Sequence, residues 1–280
     1  MPTKVPLPPD TSAGVPVTKR RRATALVYTA ALADLETIRA YYRRILPFYE
    51  REVSARGDLS FWEGLAREWR PKLVLEIGCG NGRVVRALSR TAAAVGVDIS
   101  FELLRRARKA PRAARAHFLA ADFREMAFGR RFDLIVAPSD PLSHLTNVSE
   151  RRRALRAVAR ALAPGGRFVL EALVRRGGKP IRSERRLSDR LGELSVREDW
   201  TPAGERGLWL ATFTYRQRRR NGGVAVTRAS FPARSWEPGR LRQFLSSCGL
   251  VVEEMWGGIS RRPYRPASRR LIVVARRLSD

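Results

Sequence analysis

The 280 residues carry 55 Lys and Arg against 27 Asp and Glu, a formal net charge of +28, and 44% of them are hydrophobic, ample for a buried core. Two distant cysteines, Cys79 and Cys248, argue against a disulfide framework and for a reducing, cytoplasmic setting, and with only His117 and His144 available no zinc site is expected. No apolar run approaches the roughly 18 residues of a membrane-spanning helix, so no membrane partner is expected.

In chain order, residues 1–23 are rich in Pro, Thr, Lys and Arg and end in Lys19-Arg20-Arg21-Arg22, which reads as a disordered basic tail with no signal-peptide apolar core. Over 34–56, Leu35, Ile38, Tyr41, Tyr42, Ile45, Phe48, Tyr49 and Val53 recur at helical steps, with Pro47 expected to kink or break the helix. A second helix is expected over 59–69. Tyr41, Tyr42 and Tyr49 fit either a packed helical stripe or the lining of a pocket.

The most informative stretch is 73–84. Leu73-Val74-Leu75 leads into Glu76-x-Gly78-x-Gly80-x-Gly82, and a helical run follows from Arg83. This is a strand, a glycine turn and a helix start, where free N–H groups meet a polar ligand. The third glycine of a dinucleotide fingerprint would fall at Arg83, so that pattern is not met. Three further strand-like runs follow, 94–98 ending in Asp98, 118–122 ending in Asp122, and 132–137 followed by Ser139 and Asp140. Then comes Leu162-Ala163-Pro164-Gly165-Gly166-Arg167-Phe168-Val169-Leu170-Glu171. Helices are expected at 83–90, 100–109 and 149–162. Such alternation gives a parallel sheet with helices on both faces and a ligand site at the carboxyl ends of its strands.

This series, over about residues 72–173, resembles the class I S-adenosylmethionine-dependent methyltransferases. The resemblance implies S-adenosylmethionine as cofactor and a Rossmann-like, doubly wound, mostly parallel seven-stranded sheet. It implies that the backbone around Gly78, Cys79, Gly80 and Gly82 contacts the methionine part and ribose, and that Glu76 holds the methionine ammonium or the loop. Asp98 would bind the ribose hydroxyls, Asp122 with Ala121 or Phe123 the adenine, and Ile99 and Phe123 would sandwich the ring, with Ser139 at the cofactor's edge. In the family, helices before the first motif often form a lid.

The division expected is a tail (1–23), a helical lid (24–70), the cofactor-binding core (71–177), an antiparallel β insertion (178–235) that sits over the strand ends and contributes to substrate choice, and a completion of the core sheet (236–280). Within the insertion, 192–200, 207–215 and 224–231 alternate as strands, with Asn221-Gly222-Gly223 as a hairpin turn. A helix at 237–247 and strands at 250–255 and 271–275 fit the family's closing antiparallel pair.

Methyl transfer needs donor and nucleophile held in line, and a base where the acceptor carries a proton. Asp140 and His144 are the candidate proton acceptors; His144 also fits a helix-start or core residue, and His117, before a strand, reads as structural. The segment 137–145 departs from the Asn/Asp-Pro-Pro-aromatic form of amino-methylating nucleic-acid enzymes and looks like the small-molecule branch. Trp256, Arg261 and Tyr264 fit either a pocket border or a surface loop. The expected function is methylation of an N or O atom of a small molecule by a monomer or homodimer. RNA methylation is the alternative, since a charge of +28 implies weak nucleic-acid binding at low salt; protein methylation or a non-catalytic cofactor-binding relative is the third.

Overall fold

A computed structural model describes residues 35–110, 113–129, 131–175, 178–218, 222–268 and 270–278. The expected tail at 1–23 lies outside the described residues, as does Asn221 of the expected hairpin turn.

The first helix, α1 (Leu35–Ser54), runs through Pro47 without a break. Pro47 is exposed, while Ile45 and Phe48 on either side are buried, so packing offsets the lost hydrogen bond. Next come α2 (Leu59–Trp69), β1 (Leu73–Ile77), α3 (Arg83–Leu88), β2 (Ala93–Asp98), α4 (Phe101–Lys109), β3 (Ala116–Ala120), β4 (Phe132–Ala137), α5 (Val148–Ala161) and β5 (Leu162–Ala172). Four long strands follow: β6 (Ile181–Asp189), β7 (Gly192–Pro202), β8 (Leu208–Arg218) and β9 (Val224–Arg234). The chain closes with α6 (Pro238–Ser246), β10 (Leu250–Trp256) and β11 (Leu271–Arg277).

Seven strands form one sheet in the order β10-β11-β5-β4-β1-β2-β3, parallel except for β11, which runs antiparallel to both its neighbours. The Pro164-Gly165-Gly166 turn lies within β5, where the pairing with β4 shifts register. Both faces of the sheet are covered. Leu75 and Ile77 pack with Leu155 and Val158 of α5 and Leu241 and Leu245 of α6. Val74 packs on the other face with Trp62 and Leu65 of α2, Val84 and Val85 of α3 and Leu104 of α4. The split along β1 follows the alternation of side chains along a strand. His117 is exposed on the edge strand β3 rather than preceding it.

The second sheet is an antiparallel meander, β6-β7-β8-β9. Sequence alternation finds β7, β8 and β9 but misses β6, whose residues are almost all exposed and polar. Ile38, Tyr41, Ile45 and Phe48, spaced by three and four, lay α1 along this sheet against Leu194, Val196, Phe213, Tyr215 and Phe231. Of the described residues in the expected lid, α1 covers the small sheet while α2 packs on the main sheet.

Candidate active site

The order of the main sheet reverses at β1, whose neighbours are β2 on one side and β4 on the other. A crevice opens at such a switch point, beyond the carboxyl ends of the strands. Here it becomes a cavity of about 550 Å³ between the main sheet, α1 and the small sheet.

One end is made by the glycine turn and the loops after β2 and β3. Gly78, Gly80 and Gly82 have φ of 68°, 53° and 74°, a region that favours glycine. A Cβ on Gly80 would stand 2.1 Å from the Tyr49 hydroxyl, and one on Gly78 would stand 2.5 Å from Pro141. Gly82 is closed off by Phe118. Gly78 and Cys79 line the cavity, whereas Gly80, Gly82 and Ala121 stand behind its wall. The Cys79 thiol is packed towards Gly96 and burial holds its pKa well above the usual value, so any ligand contact is through its backbone.

Asp98, at the end of β2, accepts the Gly80 amide at 2.7 Å on one oxygen and the Ser100 amide at 2.8 Å on the other. Each oxygen keeps acceptor capacity, and both Asp98 and Ile99 line the cavity. Arg39 of α1 donates to the Ile99 carbonyl at 3.1 Å, tying the cover to this loop. Asp122 and Phe123 line the wall beyond. Arg124 grips the Asp122 carboxylate through Nε (2.8 Å) and Nη2 (2.6 Å), so an adenine amino group would share an acid already engaged.

Glu76 is 4% exposed and its Oε2 is buried with no partner. Burial pushes its pKa well above the carboxylate range, against the pull of Arg83. A buried carboxylate oxygen without a donor is costly unless a ligand supplies one.

At the other end stands the loop after β4. Asp140 has φ +50° and is 2% exposed; its Oδ2 accepts the Leu173 amide and the Trp236 indole N–H, each at 2.7 Å. Its Oδ1 is buried without a partner, and burial raises its pKa to about 6 although Arg151 opposes this. His144 ends the 3-10 turn Pro141–His144, and its Nε2 lies 3.0 Å from the Tyr42 hydroxyl. Its Nδ1 is buried without a partner, and desolvation lowers the ring's pKa to about 4. Exposed Ser139 presents its amide to the Glu171 carboxylate at 2.9 Å. All four residues line the cavity.

The walls here are aromatic. Tyr42 and Tyr49 come from α1, Trp200 from β7, Phe213 from β8 and Phe231 from β9. His144 lies 4.7 Å from the Phe231 ring. Of these walls the sequence reading offers Tyr42 and Tyr49 as pocket lining and marks the β7–β9 residues as inward-facing, but it does not single out Trp200, Phe213 and Phe231, nor Glu52, Glu198 and Arg175. Trp256, Arg261 and Tyr264 do not line the cavity: Trp256 is buried in the main core and Arg261 lies over its ring, pairing with Glu68.

The pattern of the family described as a methyltransferase domain matches residues 74–166, from β1 into β5. The chain is a class I S-adenosylmethionine-dependent methyltransferase. It is similar to the cypemycin N-terminal methyltransferase of a Streptomyces species, 26% identical over 231 residues, or 80% of this chain and 91% of the relative. Its fold matches the CcbJ methyltransferase of Streptomyces caelestis with a TM-score of 0.70 at 22% identity, over 85% and 98% of the two chains. It also matches an amino pentose methyltransferase from Micromonospora echinaspora, solved with S-adenosylmethionine bound, with a TM-score of 0.67 at 19% identity over 81% and 96%. This methyltransferase fits that cofactor: the orphaned Glu76 oxygen suits an ammonium, and Asp98 retains lone pairs for two hydroxyls. No helix among the described residues is long and apolar enough to cross a membrane.

Proposed function

We propose that this methyltransferase methylates an amine nitrogen of a small molecule. The observation that carries the reading is the pair of buried, partnerless atoms Asp140 Oδ1 and His144 Nδ1 on the cavity that also holds Glu76 and Asp98. A ligand must satisfy both ends. An amine suits the second end, because it brings N–H donors to an acid and a neutral imidazole.

S-adenosylmethionine, when bound, supplies an activated methyl group on a sulfonium. The chain's residues hold and orient. Glu76 takes the methionine ammonium, the backbone at Gly78 and Cys79 follows the amino-acid part, and Asp98, held by the Gly80 amide, accepts the ribose hydroxyls. Ile99 and Phe123 flank the adenine, Asp122 meets its polar edge, and Ser139 borders the methionine arm. At the acceptor end Asp140 takes the proton from the arriving ammonium at Oδ1, and Tyr42 fixes the His144 ring, which orients the nitrogen. The aromatic walls exclude water. The name of one relative, for an N-terminus, supports nitrogen over oxygen.

Methyl transfer from labelled S-adenosylmethionine into a cell extract, separated into RNA, protein and small-molecule fractions, tests this. The expected label is in a small molecule, stable to alkali as an N-methyl group. Label confined to RNA or protein would reject the reading.

A further inference from the structure

Six arginines line the cavity: Arg56, Arg83, Arg124, Arg175, Arg185 and Arg270. Four pair with acids. Arg83 meets Asp58, Arg124 meets Asp122 and Glu150, Arg185 meets Glu52 and Glu198, and Arg270 meets Glu171. Arg56 lies in the field of Glu52, Glu171 and Asp58. Arg175, three residues past β5, is different. Its guanidinium lies 4.2 Å over the Trp200 ring, and among the described residues Nη1 donates only to the neighbouring Val174 carbonyl at 3.2 Å. Its Nε is buried and meets no acceptor among the described residues.

Among the described residues the acid whose field reaches Arg175 is Glu198, and it is engaged elsewhere. One Glu198 oxygen is held by Arg185 and the other accepts the Trp200 indole N–H at 3.4 Å. Glu52 likewise divides its oxygens between Arg185 at 2.6 Å and Tyr215 at 2.6 Å. Burial pulls the Arg175 pKa down, as expected of a cation short of counter-charge. A guanidinium resists deprotonation even so, and this one keeps its donors in a plane fixed by the indole beneath it.

Arg175 is also separated from the Asp140–His144 turn by a row of rings. His144 touches Phe231, Phe231 lies 6.1 Å from Trp200, and Trp200 carries Arg175. The geometry points to an acceptor that bears a carboxylate as well as its amine, with the carboxylate bound by Arg175 and the stretch between them flanked by Phe231 and Trp200. This rests on the amine reading of the same cavity. A planar monoanion is favoured over a phosphate because one guanidinium, one edge of it free, faces the ligand beside the acid Glu198.

The test uses the small-molecule fraction of a cell extract in three portions: untreated, esterified with acidic methanol, and treated with phosphatase. The full chain and labelled S-adenosylmethionine are added to each. Esterification should lower N-methyl labelling at least ten-fold and phosphatase should leave it unchanged. Arg175→Met should keep its melting temperature and its affinity for S-adenosylmethionine. It should raise the amount of untreated extract needed for half-maximal labelling about ten-fold, with Arg175→Lys in between. Equal labelling of esterified and untreated portions, or loss of labelling after phosphatase, would overturn the carboxylate while leaving amine methylation intact. Absence of N-methyl label from every portion would instead overturn the amine reading on which this inference stands.

Discussion

Asp140 shows how much one residue's surroundings decide. By sequence it is an acid after a strand, one of several. In the structure its backbone is left-handed, one carboxylate oxygen is fixed by two donors, and the other is bare and buried on the cavity. A carboxyl with a pKa near 6 is mostly ionised at pH 7 and still basic enough to accept a proton. The active form is the ionised one, so methyl transfer should fall as pH drops through about 6 and hold above it. Asp140→Asn keeps an oxygen for Leu173 and Trp236 but cannot take the proton. A pH–rate profile should show that acidic limb in the wild type and a uniformly slow, flat profile in the variant. An unchanged limb would assign the titration to another group. His144, with a pKa lowered to about 4, is neutral throughout this range and is better suited to orienting than to storing charge.

At the scale of elements, the glycine turn is the part most legible in the sequence, and the reason is physical. Its positions require positive φ and close approach, and few residue types meet both needs. The strand-end acids Asp98 and Asp122 are legible as polar residues that close apolar runs, and both line the cavity. The four-stranded cover is less so. The exposed strand β6 has no apolar face to betray it, and Pro47 misleads because packing against β7–β9 outweighs a local preference. The contact between Tyr49 of α1 and Gly80 joins the legible element to the illegible one. Gly80→Ala should lower stability by about 1–2 kcal/mol from the left-handed backbone alone, and further from the collision with the Tyr49 hydroxyl. Thermal unfolding should return part of that loss in a Tyr49→Phe background. The same cost in both backgrounds would mean that α1 does not rest on the turn.

For the whole molecule, charge says less than placement. Many arginines spend their charge within the fold, as Arg83 does on Asp58 and Arg185 on Glu52 and Glu198. What distinguishes the molecule is a cavity shared by two sheets, with Glu76, Asp98 and Asp122 on the side of the main sheet and Trp200, Phe213 and Phe231 on the side of the small one. The sequence reading sets the insertion over the strand ends but cannot name Trp200, Phe213 and Phe231, because they reach the cavity from strands remote in the chain. The division into two ends is the claim on which the rest depends, and titration calorimetry of S-adenosylmethionine against the wild type, Asp98→Ala and Asp140→Asn tests it. Asp98→Ala should bind about ten-fold or more weakly, since charge-assisted hydrogen bonds contribute about 1.5–3 kcal/mol, while Asp140→Asn should bind as the wild type does. Equal losses in the two variants, or none at Asp98, would contradict a cavity with separate cofactor and acceptor ends.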